Sequence, residues 1–148
     1  MPLFITGSSG IGKSELVPHL RAALGEKFRV HDFDELLTKD VALNSNLLDE
    51  WRKNATRTWF QVAAREHAEG YTTVVVGLMF PSELNEASNH TEFRTLLLDC
   101  SQLEIERRLR GKRFSTDVKI SKLKQGTGLT PEEFIAQNAS TMQRLAFN

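Results

Sequence analysis

Residues 7 to 14 read G-S-S-G-I-G-K-S, with the short apolar run PLFIT (2–6) before them and a leucine-patterned segment after them. Three glycines and three serines in eight residues do not make the interior of a strand or a helix, so the chain turns sharply there. PLFIT has the length of a short buried strand, and Leu16, Leu20 and Leu24, with Val17 beside them, recur at helical spacing. In a strand, glycine-rich turn and helix, successive backbone N–H groups can converge on an anion, because Gly7, Gly10 and Gly12 keep side chains out of the approach.

The stretch is a full match to G-x-x-x-x-G-K-S/T, the P-loop pattern for nucleoside triphosphates. On that reading Gly7, Ser8, Ser9, Gly10, Ile11 and Gly12 cradle the phosphates. Lys13 reaches the β and γ phosphates, and the Ser14 hydroxyl ligates Mg²⁺. A plain connecting turn has no need of Lys and Ser directly after its last glycine. Pro18 falls inside the expected helix, where it removes a backbone donor.

The pattern goes on alternating in kind. FRVHDFD (28–34) is a second candidate strand, and a long helix is expected from Leu47 to Glu69, with Leu48, Trp51, Ala55, Trp59 and Val62 on one stripe and Gly70 ending it. TTVVVGL (72–78) reads as a strand covered on both faces, and TLLLDC (95–100) repeats that pattern. Ser101 and Glu104 form a capping box that opens a helix through QLEIERRLRGKR, and TPEE at Thr130 opens a last helix. Residues 111–129, basic and without a clear period, read as a mobile loop. Strands alternating with helices imply a three-layer α/β/α P-loop NTPase fold around a mainly parallel sheet of four to five strands, in one domain spanning 1–148.

Nineteen basic residues balance nineteen acidic ones, so bulk charge does not point to duplex nucleic acid or an anionic membrane. The single Cys100 excludes an internal disulfide, and the four histidines lack zinc-ligand spacing. With no basic stretch leading into an apolar signal core, and with VVVGLMF (74–80) too short to span a bilayer, a cytoplasmic protein is expected. A GTPase would need Asn/Thr-Lys-x-Asp, and TKDV (38–41) has its Asp one place early. An AAA-type ATPase would follow its apolar strand with Asp-Glu, whereas Asp99 precedes Cys100.

With GSSGIGKS, HDFDE (31–35), a long helix leading into VVVGL, and LLLDCSQLEIERRLRGKR, the chain resembles the small-molecule kinase branch of P-loop proteins, the group of shikimate kinase, gluconate kinase and chloramphenicol phosphotransferase. HDFDE, WR, TRTW, VVVGL and LLLDC…RL resemble more closely a set of bacterial proteins described only as P-loop kinases or ATPases. The resemblance implies ATP and Mg²⁺ as cofactors. It also implies that Asp32 holds the hydration shell of the ion, that Asp34 contacts and deprotonates the acceptor hydroxyl, and that Gly77 lets the acceptor approach the third strand. Shikimate kinase has three glycines there, so shikimate itself is not expected. LMFP (78–81) belongs to the core or lines a pocket for a flatter, less polar acceptor.

Arg52 lies in the same stripe as Trp59, an odd place for a guanidinium unless it meets an anion, which makes it a substrate-binding candidate. Arg107, Arg110 and Arg113 repeat every three residues and lead into the basic loop, as in a lid that closes over ATP; Arg107 and Arg113 are candidate catalytic residues and Arg110 a nucleotide contact. The expected activity is phosphoryl transfer from ATP to a hydroxyl or phosphate of a small molecule. One alternative is a nucleic-acid-end kinase using residues 107–124, with eight Lys/Arg and one acidic residue, as a single-strand track. Another is a nucleotide-dependent switch or ATPase module without a small-molecule acceptor.

Overall fold

A computed structural model of the chain describes residues 1–42 and 44–147. The elements are β1 (Leu3–Thr6), α1 (Lys13–Ala23), β2 (Phe28–Asp32), a 3₁₀ turn (Phe33–Leu36), α2 (Lys39–Ala42), a second 3₁₀ turn (Ser45–Leu47), α3 (Leu48–Ala68), β3 (Thr72–Gly77), α4 (Pro81–Ser88), β4 (Arg94–Leu97), α5 (Gln102–Lys112), α6 (Asp117–Thr127) and α7 (Pro131–Phe147).

The four strands are all parallel in the order β2-β3-β1-β4, with Phe4 opposite Val75 and Ile5 opposite Val76. Period-two alternation splits their side chains between two faces. Phe4 and Val75 pack with Trp59 and Phe60 of α3 and Leu84 of α4, whereas Ile5, Val30, Val74 and Val76 pack with Val17, Leu16, Leu20 and Leu24 of α1 and its C-terminal end. The expected three layers follow. A third cluster of Ile11, Ile105, Leu109 and Phe114, with Phe134 and Ile135 against it, fixes α5 and α7 to the glycine-rich loop.

The structure departs from the sequence expectations in three places. Residues 111–129 are not a loop throughout, because Asp117–Thr127 is helical. The Thr116 side chain accepts the Lys119 N–H at its start, Gly128 takes φ 76° at its end, and Ile120 and Leu123 lean on the third cluster. None of its residues is buried, so its apolar period is too thin to stand out. Helix α4 is additional to the expected elements, with Pro81 in its first turn. Strand β4 is not covered on both faces: it is an edge strand, exposed from Arg94 to Leu96, with Leu96 46% accessible. Met79 and Phe80 belong to the core, and α1 runs unbroken through Pro18.

Candidate active site

The loop between β1 and α1 takes its shape from backbone conformations that side chains resist. Gly10 and Gly12 have φ of 81° and 102°, and a Cβ on Gly7 would meet Ile11 Cγ2 at 2.9 Å and the Leu98 carbonyl oxygen at 3.3 Å. Gly7, Ser8 and Ile11 turn inward, the last into the third core cluster, so they shape the loop rather than line the cleft. Ser9, Gly10, Gly12, Lys13 and Ser14 line a cleft of about 680 Å³ beside the start of α1. Lys13 folds back over the loop and donates from Nζ to the Ser8 carbonyl at 2.6 Å.

Asp34 reaches the same cleft from the 3₁₀ turn after β2. That turn is tied down on several sides: Asp32 Oδ1 accepts the Asp34 N–H at 3.0 Å, Glu35 Oε1 accepts the Asp32 N–H at 3.1 Å, and the indoles of Trp59 and Trp51 donate to the carbonyls of Phe33 and Leu36 at 3.3 and 3.2 Å. Asp32 therefore caps the turn and does not line the cleft, although its charge acts on both Lys13 and Asp34. Burial, aided by Arg113, lowers the Lys13 pKa to about 8 against the opposing charges of Asp34 and Asp32. Enclosure in the cleft, then the neighbouring Asp32 carboxylate, hold Asp34 above the usual carboxylate range, against the pull of Lys13 and Arg113. A half-desolvated ammonium and a proton-accepting carboxylate thus meet in one cleft, an arrangement suited to transferring an anionic group to a hydroxyl.

Arg107, Arg108 and Arg113 line the cleft from α5 and its C-terminal end. Arg108 donates to the Ile11 carbonyl at 3.2 Å and so bridges α5 to the loop, a contact its place among several arginines does not single out. Arg107 is held by Glu104, whose side chain turns to Arg107 and Arg108; Ser101 alone completes the cap of α5. Arg110 is corrected: it pairs with Glu106 at 2.9 Å and Glu132 at 3.6 Å and lies outside the cleft lining. Gly77 is corrected too. A Cβ there would fall 2.1 Å from Phe33 Cβ, so its bareness admits the turn that carries Asp34 and not a ligand.

Arg52 does meet an anion, and it is internal. Its Nε and Nη2 bind the buried Glu83 carboxylate at 2.8–3.1 Å, and its guanidinium sits 4.7 Å from the centroid of Phe80. Phe33, Leu48, Trp51 and Leu78 complete the cleft around it. Asn138, buried on α7, grips the loop through Ser9 and escapes a motif search. The available signal was its position on the apolar stripe of Phe134, Met142 and Leu145, where a lone amide needs a partner.

No family model matches the chain, and no curated protein matches it. Solved structures do. It is similar to a gluconokinase from Sinorhizobium meliloti 1021 at 15% identity and TM-score 0.55, over 95% of this chain and 74% of that one. A sugar kinase from Janibacter sp. HTCC2649, in an unliganded structure, aligns at 20% identity and TM-score 0.56, over 97% and 94% of the two chains. A chain of the Pnkp1/Rnl/Hen1 RNA repair complex aligns at 14% identity and TM-score 0.59, over 97% of this chain but 44% of that one. At these identities the likeness establishes the fold, that of P-loop kinases.

Proposed function

We propose that this chain is a phosphotransferase that moves the γ-phosphoryl group of ATP to a hydroxyl of a small molecule, with Mg²⁺ as cofactor. The observation that carries the reading is the meeting of Lys13, Ser14 and Asp34 in one cleft with Arg107 and Arg113. The residues fit the ion: the exposed Ser14 hydroxyl at the cleft is a hard donor, and the second oxygen of Asp32, outside the cleft lining, would reach the ion through its hydration shell; no group of three His, Cys, Asp or Glu able to hold a metal without phosphate help occurs among the described residues. When bound, Mg²⁺ neutralises charge on the phosphates.

The other roles belong to the chain. The loop amides and Lys13 hold the phosphates; Asp34 orients the acceptor and takes its proton as the new O–P bond forms and the β–γ bridge breaks. Arg107 and Arg113 stabilise charge on the transferring group, and the segment 111–129, with α6 within it, acts as the lid. The single Cys100 and the lack, among the described residues, of a helix long and apolar enough to cross a membrane agree with work in the cytoplasm.

Transfer of labelled γ-phosphate to a metabolite panel, by the unaltered chain and by Asp34→Asn, tests the reading. Hydrolysis without transfer to any acceptor would favour a switch or ATPase module instead. One observation favours the nucleic-acid-end alternative: Lys112, Arg113, Lys119 and Lys122 line a second hollow of about 380 Å³ that shares Lys112 and Arg113 with the cleft. A steep fall of oligonucleotide binding with salt would support it.

A further inference from the structure

We infer that the acceptor is a neutral alcohol carried on a flat, mainly apolar frame, and not a polyol or a sugar acid; the inference rests on the phosphotransferase reading above. Away from the phosphate loop and from the basic residues of α5 and its C-terminal end, the cleft wall is made of Phe33, Leu48, Trp51 and Leu78, with Asp34 and Arg52 as its polar members. Trp51 and Phe33 stand edge to face with centroids 5.4 Å apart, and the Trp51 indole N–H is already given to the Leu36 carbonyl. The tryptophan therefore offers a ligand its ring and not its donor.

Arg52 offers little more. Nε and Nη2 are engaged by Glu83, Nη2 also meets Asp49 at 3.0 Å, and only Nη1 is without a partner among the described residues. The buried Glu83 cancels the guanidinium charge at close range and Asp49 adds negative charge, so Arg52 has no surplus charge to attract a carboxylate, and the cations that act on Asp34, Lys13 and Arg113, are the ones the phosphotransferase reading gives to the phosphates. A hexose or aldonic acid brings several hydroxyls, each of which loses water on entry and needs a partner there. This wall supplies one carboxylate and the two N–H of Arg52 Nη1. A single reacting hydroxyl at Asp34, one acceptor atom at Arg52 Nη1 and a ring against Trp51 would use what is present. The neighbours in the fold described as gluconokinase and sugar kinase would thus differ from this chain in what they phosphorylate.

The test is calorimetry on the chain loaded with a non-hydrolysable ATP analogue and Mg²⁺, using phenylethanol, thymidine, glucose and gluconate as probes. At least one aromatic probe should bind at least about tenfold more tightly than glucose and gluconate, with Trp51→Ala abolishing that preference and Trp51→Phe keeping it. Equal or tighter binding of glucose or gluconate would overturn the inference, as would no binding of either aromatic probe, or a preference untouched by Trp51→Ala in protein shown folded by circular dichroism. Failure of the phosphotransferase reading looks different: the analogue itself does not bind, or binds Lys13→Ala equally well, and the inference then falls with it.

Discussion

Asn138 holds Ser9 by both faces of its backbone: Oδ1 accepts the Ser9 N–H at 3.0 Å while Nδ2 donates to the Ser9 carbonyl at 3.0 Å, 129 residues away in the chain. The same Nδ2 lies 3.4 Å from the Ser8 hydroxyl. The last helix thereby braces the glycine-rich loop, and on the proposed reading Asn138 is a positioning residue. Asn138→Ala should cost about 1–3 kcal/mol, the usual penalty for stranding buried polar groups, and weaken binding of an ATP analogue. Asn138→Asp should weaken it more, since a carboxylate would face the Ser9 carbonyl and add negative charge beside the triphosphate. Urea denaturation and calorimetry on the three proteins check both statements.

Lys13 titrates at about 8 against 10.5 in the unfolded chain. Its pKa is depressed on folding, so between those values the unfolded state binds more protons and stability rises with pH. Below about 8 the fold carries a poorly solvated ammonium. Bound triphosphate supplies the counter-charge and raises the pKa again. Analogue binding near pH 8 should therefore take up a proton, read from calorimetry in buffers of different ionisation enthalpy, and affinity should fall as pH rises above that point. Lys13→Ala should bind more weakly by roughly tenfold or more, remain folded, and lose the proton uptake.

Asp34→Asn should keep nucleotide affinity and lower the transfer rate by roughly 10²–10⁴, the span for a positioned base. Because enclosure and Asp32 raise its pKa, transfer by the unaltered chain should decline as pH falls through that raised value. Asp32→Asn should instead raise the Mg²⁺ concentration for half-maximal rate, so a magnesium titration tells the two variants apart. An active Asp34→Asn enzyme would remove the carboxylate from the mechanism.

Gly77→Ala should destabilise the fold by about 1–3 kcal/mol, as overpacking does, because Phe33 is buried and its carbonyl is held by Trp59. Transfer should suffer through displacement of Asp34 and show in the rate more than in analogue affinity. A shift of the urea midpoint without loss of the analogue's dissociation constant is the expected pair of results.

The segment 111–129 carries Lys112, Arg113, Lys119, Lys122 and Lys124 on elements with little burial. Trypsin should cut there first in the free chain and more slowly with analogue and acceptor bound. Identical digestion with and without ligands would remove the lid.

What the sequence made legible was local. The glycine loop, the valine-rich β3 and the Thr130–Glu133 box each depend on residues a few places apart, and each is present, the box with Thr130 N–H to Glu133 at 2.8 Å and its reciprocal at 3.3 Å. Non-local pairs were not legible. Nothing near Arg52 in sequence announces Glu83, nothing near Gly77 announces Phe33, and nothing near Ser9 announces Asn138, because only the crossover of strands and helices brings them together. Strand β4 misled for a related reason: its leucines read as a buried strand, whereas burial depends on whether another element lies beyond it.

That edge has a consequence for the chain in concentrated solution. The amides of Arg94 and Leu98 are spent on β1, so the alternate groups of Thr95 and Leu97 point to the open side next to an exposed Leu96. An unpaired apolar ribbon of this kind invites a like strand from a misfolding neighbour. Arg94 and Asp99 stand one at each end of TLLL, where an in-register parallel stack would bring like charges into successive layers, the unfavourable arrangement that flanking charges impose on such strands.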